Sequence, residues 1–494
     1  MGTVRVSVLG LETEYGVHAH GLAAEAQPDP IWLSTQVIEA LDTRESTWDF
    51  ADESPLKDAR GYHLPRDGAF PDLLTDEVRH ANRLMPNGAR CYVDHAHPEH
   101  SGPEVSSARE AVVWDAAGDA LMLGAAQRAG AREGLDVRLY RNTTDGKGHS
   151  YGCHENYLLA RDVPFGDVVE QFTTHLVSRV VVTGAGRVGI GQRGEVAGFQ
   201  LSQRADFFEA LVGLETTIRR PIINTRDEPH ADARLHRRLH VIPGDANSSQ
   251  VQTFVKVGGS QLVLASIAAG RCHVPTLVDP LAALRTLSRD AACRVRVPCS
   301  DGVERTAVDL QRLFAEVVAR DTDRTAVPDR DAVLDAWTTI LDDLASDPMR
   351  CADRLDWAAK LRLLEGLRVR HGFGWDAPQL AALDLAWADL DPDRGLFHRL
   401  VRRGDMASMV GDDEVARAMT APPETTRAWL RGRILDRFPG QVLAASWDSV
   451  TLLLRGGRQV NLALRDPLWG TRAHVGEMLD RCTTADDLVV ALAR

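Results

Sequence analysis

Apolar residues follow two kinds of spacing along the chain, and each kind predicts its own type of element. Residues 4–11 (VRVSVLGL) are almost continuously apolar and predict a buried N-terminal strand. Residues 31–42 (IWLSTQVIEALD) carry apolar side chains three and four positions apart and predict a helix. The same reasoning predicts one or two helices over 105–132 and strands at 87–94, 137–141, 156–161 and 179–183.

The stretch from about 258 to 405 has a mostly helical pattern. Four segments in it repeat apolar residues every three or four positions: LQRLFAEVVAR, AVLDAWTTILDDLA, LDWAAKLRLLEGL and LAALDLAWADL. We expect these helices to cover a core that is built by the earlier strands. The combination predicts an α+β fold.

The tail has a pattern of its own. Helical pieces at 412–420 and 424–437 precede the short apolar strands VTLLL and QVNLALR, which flank the hairpin signal Arg455-Gly456-Gly457-Arg458. Two more helical pieces close the chain. We therefore predict a large domain over 1–411 and a small C-terminal α/β domain over 412–494.

Residues 43–80 interrupt the regular pattern. The segment is charged, contains three prolines and lacks sustained periodicity. Loops of this length are usually functional or disordered. We expect an insertion that is poorly ordered at least in part and that lies near the entrance to the active site.

Composition narrows the function classes. The 494 residues suggest two or three domains, and the net charge of −13 argues against general binding to nucleic acid or to an anionic membrane. Seven scattered cysteines without a CxxC motif fit a reducing compartment. No apolar run approaches the roughly 20 residues of a membrane helix. We expect a cytoplasmic protein.

Two strands carry functional groups at every second position. Glu12 and Glu14 would share one face of the first strand, and Mg²⁺ is a cation that such paired carboxylates bind together with phosphate oxygens. Arg90, Tyr92 and Asp94 repeat the spacing, and a polar, turn-rich segment follows them. A solvated strand face and an edge ladder of ion pairs are the alternative interpretations. We expect the two strands to be close neighbours in one sheet.

Two polar segments supply further candidates. Asn142–Tyr157 is a glycine-spaced loop whose backbone amides could approach phosphate, although it lacks the GxxxxGK[ST] pattern and could be an ordinary surface loop. The second segment, Asn224–His240, is rich in arginine, which suits phosphate and carboxylate. His236 and His240 lack the glutamate of a zincin motif, so we do not predict zinc.

Gly184–Gly189 matches GxGxxG, but the glycines that follow it carry no helical pattern. A dinucleotide site requires a helix to begin there, so we reject this match.

Taken together, the chain resembles the Pup ligase family, whose members share a fold with glutamine synthetase and with carboxylate-amine ligases. The segments that carry the resemblance span residue 10 to beyond 430: LETEYG, NGARCYVDHAHPE, NTTDGKGHSYGCHENY, FQLSQRAD, RPIINTRDEPHADA, RRLHVIPGDAN and PPETTRAWLRG. The resemblance implies a glutamine synthetase-like curved antiparallel sheet covered by helices.

The family contains two activities. One branch ligates the C-terminal glutamate of Pup, the prokaryotic ubiquitin-like protein, to a substrate lysine. The other deamidates the C-terminal glutamine of Pup and cleaves Pup from conjugates. The STWDFADESPLKDARGYHL insertion, the DHAHPE segment and DPMRCADRLDWAAKLRLLEG resemble the second branch, whereas Cys153 is a residue of the ligase branch. The resemblance thus implies a Pup deamidase/depupylase that acts on Pup and on pupylated proteins.

The resemblance also implies roles for individual residues. Asp94 matches the catalytic aspartate, as general base or as nucleophile. The cofactors would be ATP and Mg²⁺. The metal ligands would be Glu12, Tyr92, Glu99, His154 and His240. The nucleotide would be lined by Gly10, Leu11, Glu12, Thr13, Glu14, Arg90, Gly152, Arg238 and Trp447, although Trp447 could instead belong to the core of the C-terminal domain.

Two rival functions remain open at this stage. A Pup ligase would consume ATP, and the insertion at 43–80 argues against it. A non-catalytic Pup-binding homologue would need no intact site, and the acids Glu12, Glu14, Asp94 and Glu99 argue against it.

Overall fold

The computed structural model describes residues 6–43, 47–51, 53–65, 81–145, 149–321 and 327–493. Its strands, in chain order, are β1 (Val6–Glu14), β2 (Gly16–His20), β3 (Thr47–Trp48), β4 (Asn82–Leu84), β5 (Arg90–Asp94), β6 (His97–Ser101), β7 (Asp136–Tyr140), β8 (Cys153–Ala160), β9 (Arg187–Gly189), β10 (Gly198–Gln200), β11 (Phe208–Gly213), β12 (Arg220–Asn224), β13 (His236–Gly244), β14 (Arg296–Pro298), β15 (Glu304–Thr306), β16 (Val442–Ala445), β17 (Ser449–Leu453) and β18 (Gln459–Ala463).

The α-helices are α1 (Pro30–Glu39), α2 (Ala108–Glu133), α3 (Phe165–Asp167), α4 (Thr173–Ser178), α5 (Val180–Thr183), α6 (Gln250–Ala268), α7 (Pro280–Ser288), α8 (Ala307–Asp321), α9 (Arg330–Ser346), α10 (Asp356–His371), α11 (Pro378–Trp387), α12 (Leu396–Arg403), α13 (Asp412–Ala418), α14 (Ala428–Arg437), α15 (Arg472–Arg481) and α16 (Ala485–Leu492). In the described chain, none of them is both long and apolar enough to span a membrane.

A six-stranded sheet in the order β13-β8-β1-β6-β5-β4 forms the centre of the molecule, and every pair in it is antiparallel. The strand with Glu12 and Glu14 and the strand with Arg90–Asp94 share this sheet, as predicted. They are not directly paired, because β6 lies between them. The short β5–β6 hairpin places Glu99 of β6 across from both Glu14 and Tyr92.

Helices cover the apolar side of the sheet, as the 3.6-residue pattern predicts. In α6 almost every residue is buried, because it lies between the sheet and the helices α2 and α9. Gly258 allows the approach to α9: a Cβ there would lie 2.5 Å from Cγ2 of Val333. This main core contains residues from β1, β8, β13 and the covering helices.

One predicted element is wrong. Residues 179–183 were expected to form a strand, but Val180–Thr183 form the short helix α5. All four side chains are buried, so the segment has no polar face that would reveal a period. A short, fully apolar run does not distinguish a buried strand from a buried helix turn.

The C-terminal residues build a second hydrophobic core. Its cluster runs from Trp429 to Leu488 and packs around the sheet β18-β17-β16-β3. Helix α13 packs instead on α2, and Ala418 at its end belongs to the main core. The domain division at 412 stays a prediction.

The insertion contributes directly to that second core. Thr47 and Trp48 pair in parallel with β16, and Trp48 is buried in the C-terminal cluster. Further along, Asp58 accepts a hydrogen bond from Thr225, and Leu56 packs on Leu214. Residues 44–46, 52 and 66–80 lie outside the described part of the chain, so the prediction of partial order at those positions stays a prediction.

Candidate active site

Five strands of the central sheet present polar side chains that meet at one place. The register sets Glu14 opposite Glu99, and it sets Glu12 opposite both His154 and Ser101. Directly opposite residues of an antiparallel pair point to the same face. The β5 residues Arg90 and Tyr92 lie opposite Ser101 and Glu99. The sheet therefore gathers acids, histidines and an arginine that are far apart in sequence.

The first cluster consists of Glu12, His154 and His240. Oε2 of Glu12 lies 3.3 Å from Nδ1 of His154 and 3.6 Å from Nε2 of His240. Arg238 approaches the other carboxylate oxygen at 3.7 Å, and Asn156 donates a 3.0 Å hydrogen bond to it. Burial alone would raise the pKa of Glu12, but the two histidines and Arg238 hold it well below its usual range.

The second cluster consists of Glu14, Asp94 and Glu99, one acid from each of three strands. Their closest oxygens all lie within 4.8 Å of one another. Burial, together with the charges of Asp94, Glu12 and Glu14, raises the pKa of Glu99 well above its usual range. Three carboxylates at this separation repel one another unless a cation lies between them.

Both clusters fit a divalent cation. Mg²⁺ bonds of 2.0–2.1 Å place neighbouring ligand oxygens about 3 Å apart, close to the spacings around Glu12. Burial lowers the pKa of His240 to about 3, which keeps its imidazole in the neutral, metal-binding form. Both of its buried ring nitrogens lack a hydrogen-bond partner among the described residues. Three of the five predicted metal ligands, Glu12, His154 and His240, thus share the first cluster, and a fourth, Glu99, lies in the second.

Tyr92, the fifth predicted ligand, lies beside Glu99, and its hydrogen bond offsets a small part of the rise in the pKa of that acid. Burial raises the pKa of Tyr92 itself well above its usual range, so the phenol stays protonated. Its ring also packs against Arg90, whose guanidinium carbon is 3.9 Å from the ring centre. Whether Tyr92 binds metal stays a prediction.

Asp94 ends β5 at the solvent side of the second cluster, where its side chain is 20% exposed. His95 follows it in the two-residue turn before His97 and has a φ of 52°, the left-handed conformation that tight hairpin turns require. Nδ1 of His95 lies 2.9 Å from Oδ1 of Asp94. Burial opposes ionisation, but the hydrogen bond to His95 and the nearby histidines lower the pKa of Asp94.

Glu14 is held by one group from a loop and one from strand β6. The Gly152 amide donates a 2.8 Å hydrogen bond to its Oε1, and Nδ1 of His97 lies 3.4 Å from its Oε2. Position 152 has no room for a side chain, because a Cβ there would lie 2.2 Å from Nε2 of His154. The ring of His97 stacks on Tyr151 at 4.1 Å.

A pocket opens beside Glu12 and is lined by β1, by β8 and by residues of the C-terminal part of the chain. Five of the residues predicted to bind nucleotide line it: Gly10, Leu11, Glu12, Arg238 and Trp447. Trp447 is partly buried and packs against the C-terminal cluster while it also lines the pocket, so its role toward the nucleotide stays a prediction. Thr13 points instead toward Cys153, with 3.9 Å between Oγ1 and Sγ.

Several residues around this pocket were given no role of their own in the sequence analysis. Among them are Glu104, Pro229, His230 and Pro467. His230 has a φ of 44°, which is uncommon for a non-glycine residue and is often found at functional sites. Glu104 lies just past β6, and its two ion-pair partners lie at the start of the distant helix α14 and within it.

Arg427 and Arg431 are the partners of Glu104. One helical turn separates them, a spacing that predicts two guanidinium groups facing phosphate or an acidic substrate. Both are buried and bound to Glu104, Arg427 at 2.8 Å and Arg431 at 2.5 Å. Arg427 also lines the pocket beside Glu12, so its role toward phosphate stays a prediction. Burial alone would raise the pKa of Glu104, but the two guanidinium groups lower it to about 2. The pair joins the C-terminal core to the central sheet.

A second pocket, with about 880 Å³ of empty space, lies beside the loop after β7. It is lined by polar groups of that loop, including Asn142 and Asp145, and by Arg187, Gln192 and Asp384. Asn142 accepts a 2.5 Å hydrogen bond from the Tyr151 hydroxyl. Because Tyr151 stacks on His97, this pocket is linked to Glu14 through two side chains.

The chain is similar to proteins with known names along almost its whole length. A depupylase of Acidothermus cellulolyticus is 50% identical over 500 residues, which cover 98% of this chain and 99% of that protein. A Pup deamidase/depupylase of Mycobacterium tuberculosis is 46% identical over 98% of both chains. A Pup–protein ligase of Micrococcus luteus is 40% identical over 82% of this chain and 90% of that protein.

Two solved structures share the fold. A crystal structure of the complex between the prokaryotic ubiquitin-like protein Pup and its ligase PafA has a TM-score of 0.80 at 29% identity and covers 99% of this chain and 93% of that chain. A structure of the Pup ligase PafA in complex with ADP has a TM-score of 0.73 at 34% identity, with 81% and 89% covered. The predicted glutamine synthetase-like α+β fold is confirmed. Residues 7–451 match the family profile described as Pup-ligase protein. The chain belongs to the Pup ligase family.

Proposed function

We propose that this chain is a Pup deamidase and depupylase. It hydrolyses the side-chain amide of a C-terminal glutamine in Pup and the isopeptide bond between Pup and a protein lysine. The observation that carries the proposal is an intact Glu14–Asp94–Glu99 cluster in a chain that is 50% identical to a depupylase over nearly its whole length.

Asp94 is the residue to which we assign the chemistry. Amide hydrolysis needs a nucleophile or a base, charge stabilisation of the tetrahedral state, and a proton for the leaving amine. The Asp94 carboxylate lies at the solvent edge of its cluster and is therefore the acid that an incoming carbonyl meets first. It either attacks the carbonyl or activates water.

We assign the nucleotide to the pocket beside Glu12. The first and second clusters would hold Mg²⁺. This assignment draws on the PafA structure in complex with ADP and on the orphaned nitrogens of His240. When bound, Mg-ATP would supply the positive charge of Mg²⁺ next to the carboxylates and a phosphate that shapes the site. Arg238 and Asn156 orient Glu12, and Gly152 and His97 orient Glu14.

The C-terminal residues complete this site. Trp447 and Pro467 form one wall of the pocket, so we assign the 412–494 segment to closing the nucleotide site. We also assign the reaction to the cytoplasm. This assignment is supported by seven buried cysteines, all unpaired, which suit a reducing compartment.

The rival activity is ligation of Pup. It is favoured by the likeness to PafA and by Cys153, and it is disfavoured by lower identity to a Pup–protein ligase, 40% against 50% for the depupylase. The insertion at 43–80 gives a second reason, since its sequence resembles the insertion of the deamidase/depupylase branch.

One experiment separates the candidate functions. The protein is incubated with Mg-ATP and either Pup ending in glutamine or a Pup–protein conjugate, and the products are read by mass spectrometry. Conversion of glutamine to glutamate and release of free protein support the proposal. New conjugates formed from Pup ending in glutamate would establish a ligase. Binding without any product would establish a non-catalytic homologue.

A further inference from the structure

Trp48 connects three parts of the molecule that the sequence keeps apart. It lies in the insertion, and its short strand pairs in parallel with β16 of the C-terminal core. Its ring packs edge-on against Trp447, with 5.4 Å between ring centres. The Trp48 indole nitrogen donates a 2.7 Å hydrogen bond to Glu53, which fixes the orientation of the ring.

The same ring forms one side of a clamp on Arg90. The guanidinium carbon of Arg90 lies 4.0 Å from the Trp48 ring centre and 3.9 Å from the Tyr92 ring centre. A guanidinium this close to an aromatic face is attracted by the ring quadrupole, and desolvation strengthens the attraction. Arg90 is buried, and it sits opposite Ser101, a residue of the nucleotide pocket.

Trp48 does not itself line the nucleotide pocket, whereas Trp447 does. Trp48 therefore contacts two residues that are predicted to bind the nucleotide: Arg90 on strand β5 and Trp447 in the C-terminal core. An aromatic plane restricts the rotamers of a long arginine side chain, so less entropy is lost when the arginine meets a phosphate.

We propose that Trp48 is a positioning residue that holds Arg90 and Trp447 in the conformation that receives the nucleotide. The inference rests on the proposed function for the identity of the nucleotide. On this proposal the insertion contributes to the active site through Trp48, whose ring contacts the Arg90 guanidinium and the Trp447 ring.

The test uses the full chain with Trp48 changed to Phe, Leu or Ala. Phe keeps an aromatic face, Leu keeps apolar volume without such a face, and Ala keeps neither. Mg-ATP affinity is measured by titration, and turnover of Pup ending in glutamine gives kcat and KM. Trp32→Ala is the matched control, because Trp32 is 40% exposed on α1.

We expect Trp48→Ala to weaken Mg-ATP affinity by about tenfold, Trp48→Leu to weaken it nearly as much, and Trp48→Phe to retain most of it. Trp32→Ala should bind as the unchanged protein does. If Leu matches Phe, or if Ala binds Mg-ATP normally, the proposal is overturned. Should the Ala variant fail to fold, the comparison of Phe with Leu decides. Absence of turnover in the unchanged protein would refute the proposed function but leave the affinity test intact.

Discussion

At the scale of single residues, the site depends on which acids are close together. Period-two spacing predicted that Glu12 and Glu14 share a strand face, and the structure places them in two separate clusters. Glu12 joins two histidines, whereas Glu14 joins Asp94 and Glu99. The division follows from the neighbouring strands, since β8 and β13 supply histidines and β5 and β6 supply acids.

Changing Asp94 to Asn should abolish both deamidation and depupylation. Asparagine keeps the shape but removes the nucleophile or base, so we expect turnover to fall at least about a hundredfold. Mg-ATP affinity should change little. Turnover is measured on Pup ending in glutamine, with Asp136→Asn, an exposed aspartate paired with Arg138, as the control. Near-normal turnover of Asp94→Asn would remove this residue from the mechanism.

Changing His240 to Ala should weaken the affinity for Mg²⁺, so that ATP binding requires a higher Mg²⁺ concentration. Loss of even an outer partner of a metal ligand typically costs about 10–100-fold in metal affinity, so loss of a ligand should cost at least about tenfold. The measurement is a Mg²⁺ titration of ATP binding. His236→Ala, on the same strand but outside both clusters, is the control. Equal behaviour of the two variants would contradict the assignment of His240.

At the scale of elements, residue spacing correctly predicted elements that have one polar face. It failed for a short element that has no polar face. The helix α1 was predicted because apolar side chains recur in it every three or four positions, and the strand β1 because an apolar run leads into acids at every second position. The helix α5 was predicted as a strand because VVVT is buried on every side. The strand β3 had no signal at all, since a two-residue strand carries no period.

Deleting residues 43–80 should affect folding as well as catalysis. The lack of periodicity in this segment favours a larger effect on rate than on melting temperature. Because Trp48 is 3% exposed in the C-terminal core, its loss alone should cost about 3–5 kcal/mol of stability. We therefore expect a lower melting temperature by calorimetry, whereas Tyr62→Ala, 47% exposed in the same segment, should leave it unchanged. An unchanged melt after the deletion would show that the packing of Trp48 is dispensable.

At the scale of the whole molecule, two long-range contacts hold the C-terminal core over the nucleotide pocket. One is the parallel pairing of β3 with β16, and the other is the buried ion triad of Glu104 with Arg427 and Arg431. Neither could be predicted from sequence, because the partners lie more than 300 residues apart and their pairing has no local pattern. The family resemblance supplied the fold and the residues proposed for the site, but not these connections.

The ion triad predicts a specific dependence of stability on pH. The pKa of Glu104 falls from 4.5 to about 2 on folding, so its contribution is complete above pH 4.5 and is lost as pH falls toward 2. The shift corresponds to an upper limit of about 3 kcal/mol, part of which is offset by the buried arginines. Glu104→Gln should lower the free energy of unfolding at pH 7, and its difference from the unchanged protein should shrink below pH 4.5.

Urea unfolding at pH 7 and at pH 3.5 measures this difference. Glu424→Gln, which breaks an exposed pair with Arg472, is the control and should cost less than about 1 kcal/mol at either pH. A Glu104→Gln deficit that persists undiminished at the lower pH would show that the charge of Glu104 does not stabilise the fold.

We propose that this site hydrolyses an amide without consuming the nucleotide, whereas a ligase would consume one ATP for each bond that it forms. The most direct measurement is the ratio of ammonia released to ADP formed over many turnovers of Pup ending in glutamine, in the presence of Mg-ATP. We predict that ammonia greatly exceeds ADP, and that both glutamine conversion and ammonia release disappear in Asp94→Asn. Equal amounts of ADP and product, or ammonia release that survives the loss of Asp94, would contradict the account.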